Sequence, residues 1–139
     1  MPALSSQIKF IINTGSFTAT SVAIPSAALA PDGSTWFKSL PEKGDGYFGN
    51  ADGVHTVTYT VTANFSGTLT MQATLATTPI EADWFTVKNS AVTWAEPIVP
   101  ASTTTNYINF TGNFIWVRAS VQRGPNPTNG SVQFINYNH

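Results

Sequence analysis

The stretch from Gly53 to Ala76, GVHTVTYTVTANFSGTLTMQATLA, separates its side chains into two faces at period two, and few folds accept such a segment. His55, Val57, Tyr59, Val61, Ala63 and Phe65 share one parity. Thr56, Thr58, Thr60, Thr62 and Asn64 share the other, the pattern of a strand with one face buried. After Gly67 the alternation restarts, with Leu69, Met71, Ala73 and Leu75 opposing Thr68, Thr70, Gln72 and Thr74. Asn64, Phe65, Ser66 and Gly67 then read as the turn of an antiparallel hairpin, with one continuous threonine row on its outer face available for docking.

The rest of the chain repeats this grammar. Short apolar-alternating runs lie at Gln7–Asn13, Ser16–Ile24 and Ser34–Leu40, followed by a long loop over Pro41–Gly53. Ala82–Val87, Ser90–Trp94, two strands within Asn106–Arg123 around Thr111-Gly112-Asn113, and Ser131–Tyr137 complete the set. Eight or nine strands punctuated by proline and glycine, with no helix beyond a single turn, predict an all-β fold. The expected architecture is one antiparallel β-sandwich domain of jelly-roll type over residues 1–139.

Composition narrows the function. Six basic and seven acidic residues give a net charge of -1, and 9% charged residues is far below the roughly 25% of an ordinary domain. Without a basic stripe, nucleic acid is not an expected partner. No apolar run approaches the roughly 18 residues of a membrane span, so insertion into a membrane is not expected. The absence of cysteine removes disulfides and thiolate metal sites. A surface this poor in charge offers copies little mutual repulsion, which suits a self-assembling subunit.

Candidate chemistry is sparse. Only His55 and His139 are available as bases. His55 is in phase with the apolar face and reads as an edge-of-core histidine, and His139 ends the sequence, free to move or held at a subunit contact. Of the seven acids, several sit in Asp-Gly turns, where local hydrogen bonding is their usual role. Asp45 and Asp52, in GDGYFGNADG, form a weak calcium alternative without EF-hand spacing. No catalytic set and no cofactor are indicated. The aromatics are the stronger candidates, because adjacent rings on a strand point to opposite faces. Trp36-Phe37 and Tyr47-Phe48 therefore each offer a ring for a sugar or an interface, and Trp116 lies opposite an aliphatic face. Arg118, in an otherwise uncharged strand, requires an acceptor such as Asp83 or a C-terminal carbonyl.

Two stretches, GTLTMQATLATTPIEADWFTV and FTGNFIWVRASVQ followed by GSVQFINYNH, resemble small virion structural proteins of tailed bacteriophages, particularly marine and cyanobacterial phages. The resemblance covers about the C-terminal half. It implies a non-enzymatic β-sandwich located on the virion, assembling as a homo-oligomer, often a trimer, and docking on other virion proteins of capsid, neck, tail or fibre. The alternative from the residues is a carbohydrate-binding module or receptor-binding domain, with a host-surface glycan stacked on Trp36, Tyr47 or Trp116.

Overall fold

The computed structural model describes residues 5–13, 18–26, 28–48, 53–94, 100–124 and 130–138. Its strands are β1 (Ser5–Gln7), β2 (Phe10–Asn13), β3 (Thr18–Ser21), β4 (Trp36–Lys38), β5 (Glu42–Lys43), β6 (Val54–Val61) and β7 (Gly67–Thr74). They continue as β8 (Phe85–Thr86), β9 (Val92–Trp94), β10 (Thr104–Thr111), β11 (Trp116–Arg123) and β12 (Val132–Asn138). A four-residue helix α1 (Asp45–Phe48) and a 3-10 turn (Glu81–Asp83) are the helical pieces among the described residues.

The strands form an antiparallel β-sandwich. One sheet has four strands in the order β1-β12-β6-β10; the other has six, with β4-β11-β7-β8 as its path, β5 beside β11 and β9 beside β7. Strands β2 and β3 make a separate two-stranded ribbon. Val57, Tyr59, Val61, Ile135 and Tyr137 from the first sheet meet Leu69, Met71, Ala73, Val117, Ala119 and Val121 from the second in one buried cluster. The inward parity expected for Gly53–Ala76 holds within the strands, where His55, Val57, Tyr59 and Val61 of β6 and Leu69, Met71 and Ala73 of β7 are buried, but fails at Leu75, which lies just beyond β7 and is 65% exposed.

The predicted hairpin does not form. Strand β6 pairs with β10 and β12, whereas β7 pairs with β11, β8 and β9, so the turn between them crosses from one sheet to the other. Asn64 takes a φ of 67° and Gly67 a φ of 149°, and a Cβ on Gly67 would meet the Gln122 carbonyl oxygen at 2.4 Å. Phe65, fully buried, fills the gap between the sheets at this crossing. The threonine row is consequently divided. Thr56 and Thr58 lie on the outside of one sheet and Thr68 and Thr70 on the outside of the other, so no continuous threonine surface exists. The run around Gly112 behaves the same way, with β10 in one sheet and β11 in the other. The Gln7–Asn13 strand is two strands, β1 and β2, belonging to different sheets.

Candidate functional site

On β11, Val117, Ala119 and Val121 point into the core, so Trp116, Arg118, Ser120 and Gln122 take the opposite, outer parity, although Arg118, 6% exposed, and Ser120, 3% exposed, are covered by the side chains packed on that face. Register extends this outer face across the six-stranded sheet. Lys38 lies beside Ser120, Trp36 beside Gln122, Gln72 beside Arg118, and Lys43 beside Trp116. Trp36 is 45% exposed and its indole Nε1 donates to the Ser120 hydroxyl, which fixes the ring's tilt. A pocket of about 270 Å³ next to it is lined by Ile11, Ala30, Pro31, Asp32, Trp36 and Lys38. At the other end, Trp116 donates to the Thr77 carbonyl at 3.0 Å and packs against Tyr47 with ring centroids 5.1 Å apart. Residues 116 and 122 are six steps apart on β11, so Trp116 and the neighbour of Trp36 are separated by about 20 Å along the strand.

Between the two ends sits a charged cluster. Arg118 donates from Nη2 and Nη1 to the two carboxylate oxygens of Glu81, at 2.8 and 3.1 Å, and from Nε to Gln72 Oε1 at 2.7 Å. Lys38 Nζ reaches the same carboxylate at 2.6 Å. The guanidinium lies 4.4 Å from the centroid of the Trp84 ring, a cation–π contact. The expected partner of Arg118, Asp83, instead accepts the Ile80 amide and shapes the turn that presents Glu81. No local sequence pattern points to Glu81, because its contact with Arg118 spans 37 positions and depends on how distant segments adjoin.

Hydrogen bonds from Arg118, then from Lys38, hold the Glu81 carboxyl at about 2. Since this folded value lies below the ordinary 4.5, its stabilisation is complete above that pH and is lost as pH falls toward 2. Glu81 should therefore remain ionised at pH 3.5 in a carboxyl-carbon NMR titration, and Glu81→Gln should flatten the melting-temperature profile between pH 4.5 and 2. A Glu81 midpoint near 4.5 would show that the pair does not persist in solution. The pair is solvent-facing, Glu81 being 64% exposed, so added salt should weaken the effect.

The other sequence candidates fall elsewhere. Phe37 is 1% exposed and belongs to the core, a correction that follows from strand parity once Trp36 faces outward. Phe48 lies in α1, but its side chain is outside the described residues, as are His139 and Asp52. Asp45 is buried at the start of α1 and accepts the Gly53 amide at 3.1 Å, a bond that ties together positions eight residues apart. Among the described residues no three carboxylates or imidazoles converge on one point.

His55 is wholly buried between Phe110 and Tyr137. Its Nε2 lies 2.6 Å from the Gly112 carbonyl, which can only accept, so Nε2 carries the proton and Nδ1 accepts the Tyr137 hydroxyl at 2.7 Å. Burial, assisted by Asp45 and Glu42, pushes the Tyr137 phenol up and keeps that donor protonated. This is a satisfied structural pair.

No protein-family profile matches the chain, and no curated protein matches it. Solved structures do. The K1 cleaved adhesin domain of Lys-gingipain from Porphyromonas gingivalis W83 is similar at 11% identity, over 99% of this chain and 98% of that one, with a TM-score of 0.50. A family 29 carbohydrate-binding module from Piromyces equi aligns at 15% identity over 99% and 91%, TM-score 0.45. The C-terminal CBM6 of LamC from Zobellia galactanivorans aligns at 8% identity over 98% and 91%, TM-score 0.43. At such identities the likeness concerns the β-sandwich fold.

Proposed function

We propose that the protein is a non-catalytic carbohydrate-binding β-sandwich whose ligand lies across the outer face of the six-stranded sheet. One observation carries this reading: three of the four tryptophans, Trp36, Trp84 and Trp116, stand on that face with Tyr47, around oriented hydrogen-bonding groups. A sugar presents C–H groups on its ring faces and hydroxyls at its rim. Aromatic rings match the former, while Glu81, Gln72 and Lys38 match the latter, held in place by the buried Arg118. Because these polar groups bind one another, their rotamers are set before a ligand arrives, which lowers the ordering cost of binding.

The test is a glycan array followed by calorimetry on the best ligand. Trp36→Ala and Trp116→Ala should each weaken binding about tenfold, the scale of removing an interfacial aromatic. An array without any ligand, or a ligand indifferent to both changes, would overturn the reading.

A second reading is a self-assembling virion structural subunit docking on capsid or tail, for which the charge-poor composition and the phage resemblance speak. Both roles fit one particle if the ligand is a host-surface glycan. Mass spectrometry of purified particles tests the location directly.

A further inference from the structure

We propose that β10 is a self-association edge, through which two copies of the chain pair their β10 strands antiparallel about a two-fold axis and join their four-stranded sheets. This goes beyond the glycan reading and uses a different part of the molecule. Among the described residues, strand β10 ends the order β1-β12-β6-β10 and is eight residues long, exposed along most of its length, with Tyr107 at 59%.

Its free side can be assigned. The Thr62 amide donates to the Ser131 carbonyl, toward β12, and the Gly112 amide donates to the Gly53 carbonyl, toward β6. With a period of two, Thr104, Asn106, Ile108 and Phe110 bond to β6, leaving Thr105, Tyr107, Asn109 and Thr111 with outward backbone groups. Consistently, the Tyr107 amide donates to the Asn106 side-chain carbonyl at 2.8 Å instead of to β6.

Natural edges are blunted by brevity, charge, proline or bulges. The other edge strands of the two sheets, β1, β4, β5, β8 and β9, are two or three residues long, so brevity protects them. Strand β10 has none of these devices. Residues 101–111, ASTTTNYINFT, contain no charge and no proline, and the register to β6 runs without the shift seen between β12 and β6. Beside it, a groove of about 620 Å³ opens between β10 and β8, with Phe110 and Phe114 beside Phe85, which is 43% exposed. A strand added to β10 would continue the sheet over this groove.

The occupant that fits is a second β10. No other described sheet edge is long enough to satisfy it. Antiparallel pairing of a strand with its own copy is isologous and closes at two, and it sets threonine and asparagine against one another without like-charge contact. A chain of net charge -1 adds little repulsion.

Analytical ultracentrifugation over a concentration series tests the proposal. The unmodified chain should dimerise. Tyr107→Pro removes an outward N–H without breaking a bond to β6, so it should yield monomers with unchanged circular dichroism. Tyr107→Lys opposes two ammonium groups across the axis and should raise the dissociation constant by about a hundredfold or more. A strict monomer, a trimer, or a dimer that Tyr107→Pro leaves intact overturns the proposal. If proline unfolds the chain, persistence of the dimer in Tyr107→Lys overturns it on the same criterion.

Discussion

Replacing Phe65 with alanine is expected to lower the unfolding free energy by about 3–5 kcal/mol, the range for deleting a fully buried aromatic. Phe65 has no exposed surface, and it sits where the chain leaves one sheet for the other. Trp94 packs edge-on against its ring at 5.5 Å, and the Arg123 guanidinium lies 5.3 Å from its centroid. Collapse into the cavity is opposed because strand residues Trp94 and Arg123 of the six-stranded sheet wall it. A domain of this size is stable by only about 5–15 kcal/mol, so the change removes a large fraction of the total. Urea denaturation followed by tryptophan fluorescence measures it. Leu75→Ala is the control: that residue is 65% exposed just beyond β7 and should shift stability by no more than about 0.5 kcal/mol. Equal effects at the two positions would mean that Phe65 does not fill the crossing.

Phe65 also marks the limit of what alternation could convey. Period two identifies which side chains of β6 and β7 face inward, and those residues are the core. It is silent on whether the next strand lies beside its predecessor or across the sandwich from it, because both arrangements bury the same parity. The cue to the crossing was an apolar ring inside a turn otherwise made of Asn64, Ser66 and Gly67, since a hairpin turn has no interior in which to bury a phenylalanine. The same ambiguity applies to Gly112, between β10 and β11.

The candidate face was half legible for a related reason. Trp116 could be assigned outward from parity against Val117, alternation required that one ring of the Trp36-Phe37 pair face outward, and Arg118 demanded a partner because a guanidinium is not left uncompensated among uncharged neighbours. What parity could not supply was how strands adjoin. Register alone puts Lys38, Gln72 and Arg118 on neighbouring strands and leaves room for Glu81 above them. Phe37, offered by the sequence as an equal of Trp36, was excluded by the same alternation once one member of the pair was placed.

Arg118→Ala is expected to separate binding from stability. Removing one partner of a buried pair ordinarily costs about 3–5 kcal/mol, because the other charge is left desolvated. Here the survivor is Glu81, 64% exposed, which water can hydrate at once and which Lys38 still reaches at 2.6 Å. The stability loss should therefore be about 1 kcal/mol, mostly hydrogen bonding and the packing of the guanidinium on Trp84. Binding should suffer more. Arg118 is the one group that orients Glu81, Gln72 and Trp84 together, so its loss frees all three, and affinity for a glycan selected on the array should fall by roughly thirtyfold, about 2 kcal/mol. Arg118→Lys keeps the charge but cannot bridge both Glu81 oxygens and Gln72 with a planar fork, so its affinity should lie between those of alanine and wild type. Calorimetry and thermal denaturation on the same samples decide the matter. If Arg118→Ala binds as tightly as wild type while Trp36→Ala does not, the sugar is held by the rings alone and the charged cluster only fastens the turn at Glu81 to the sheet.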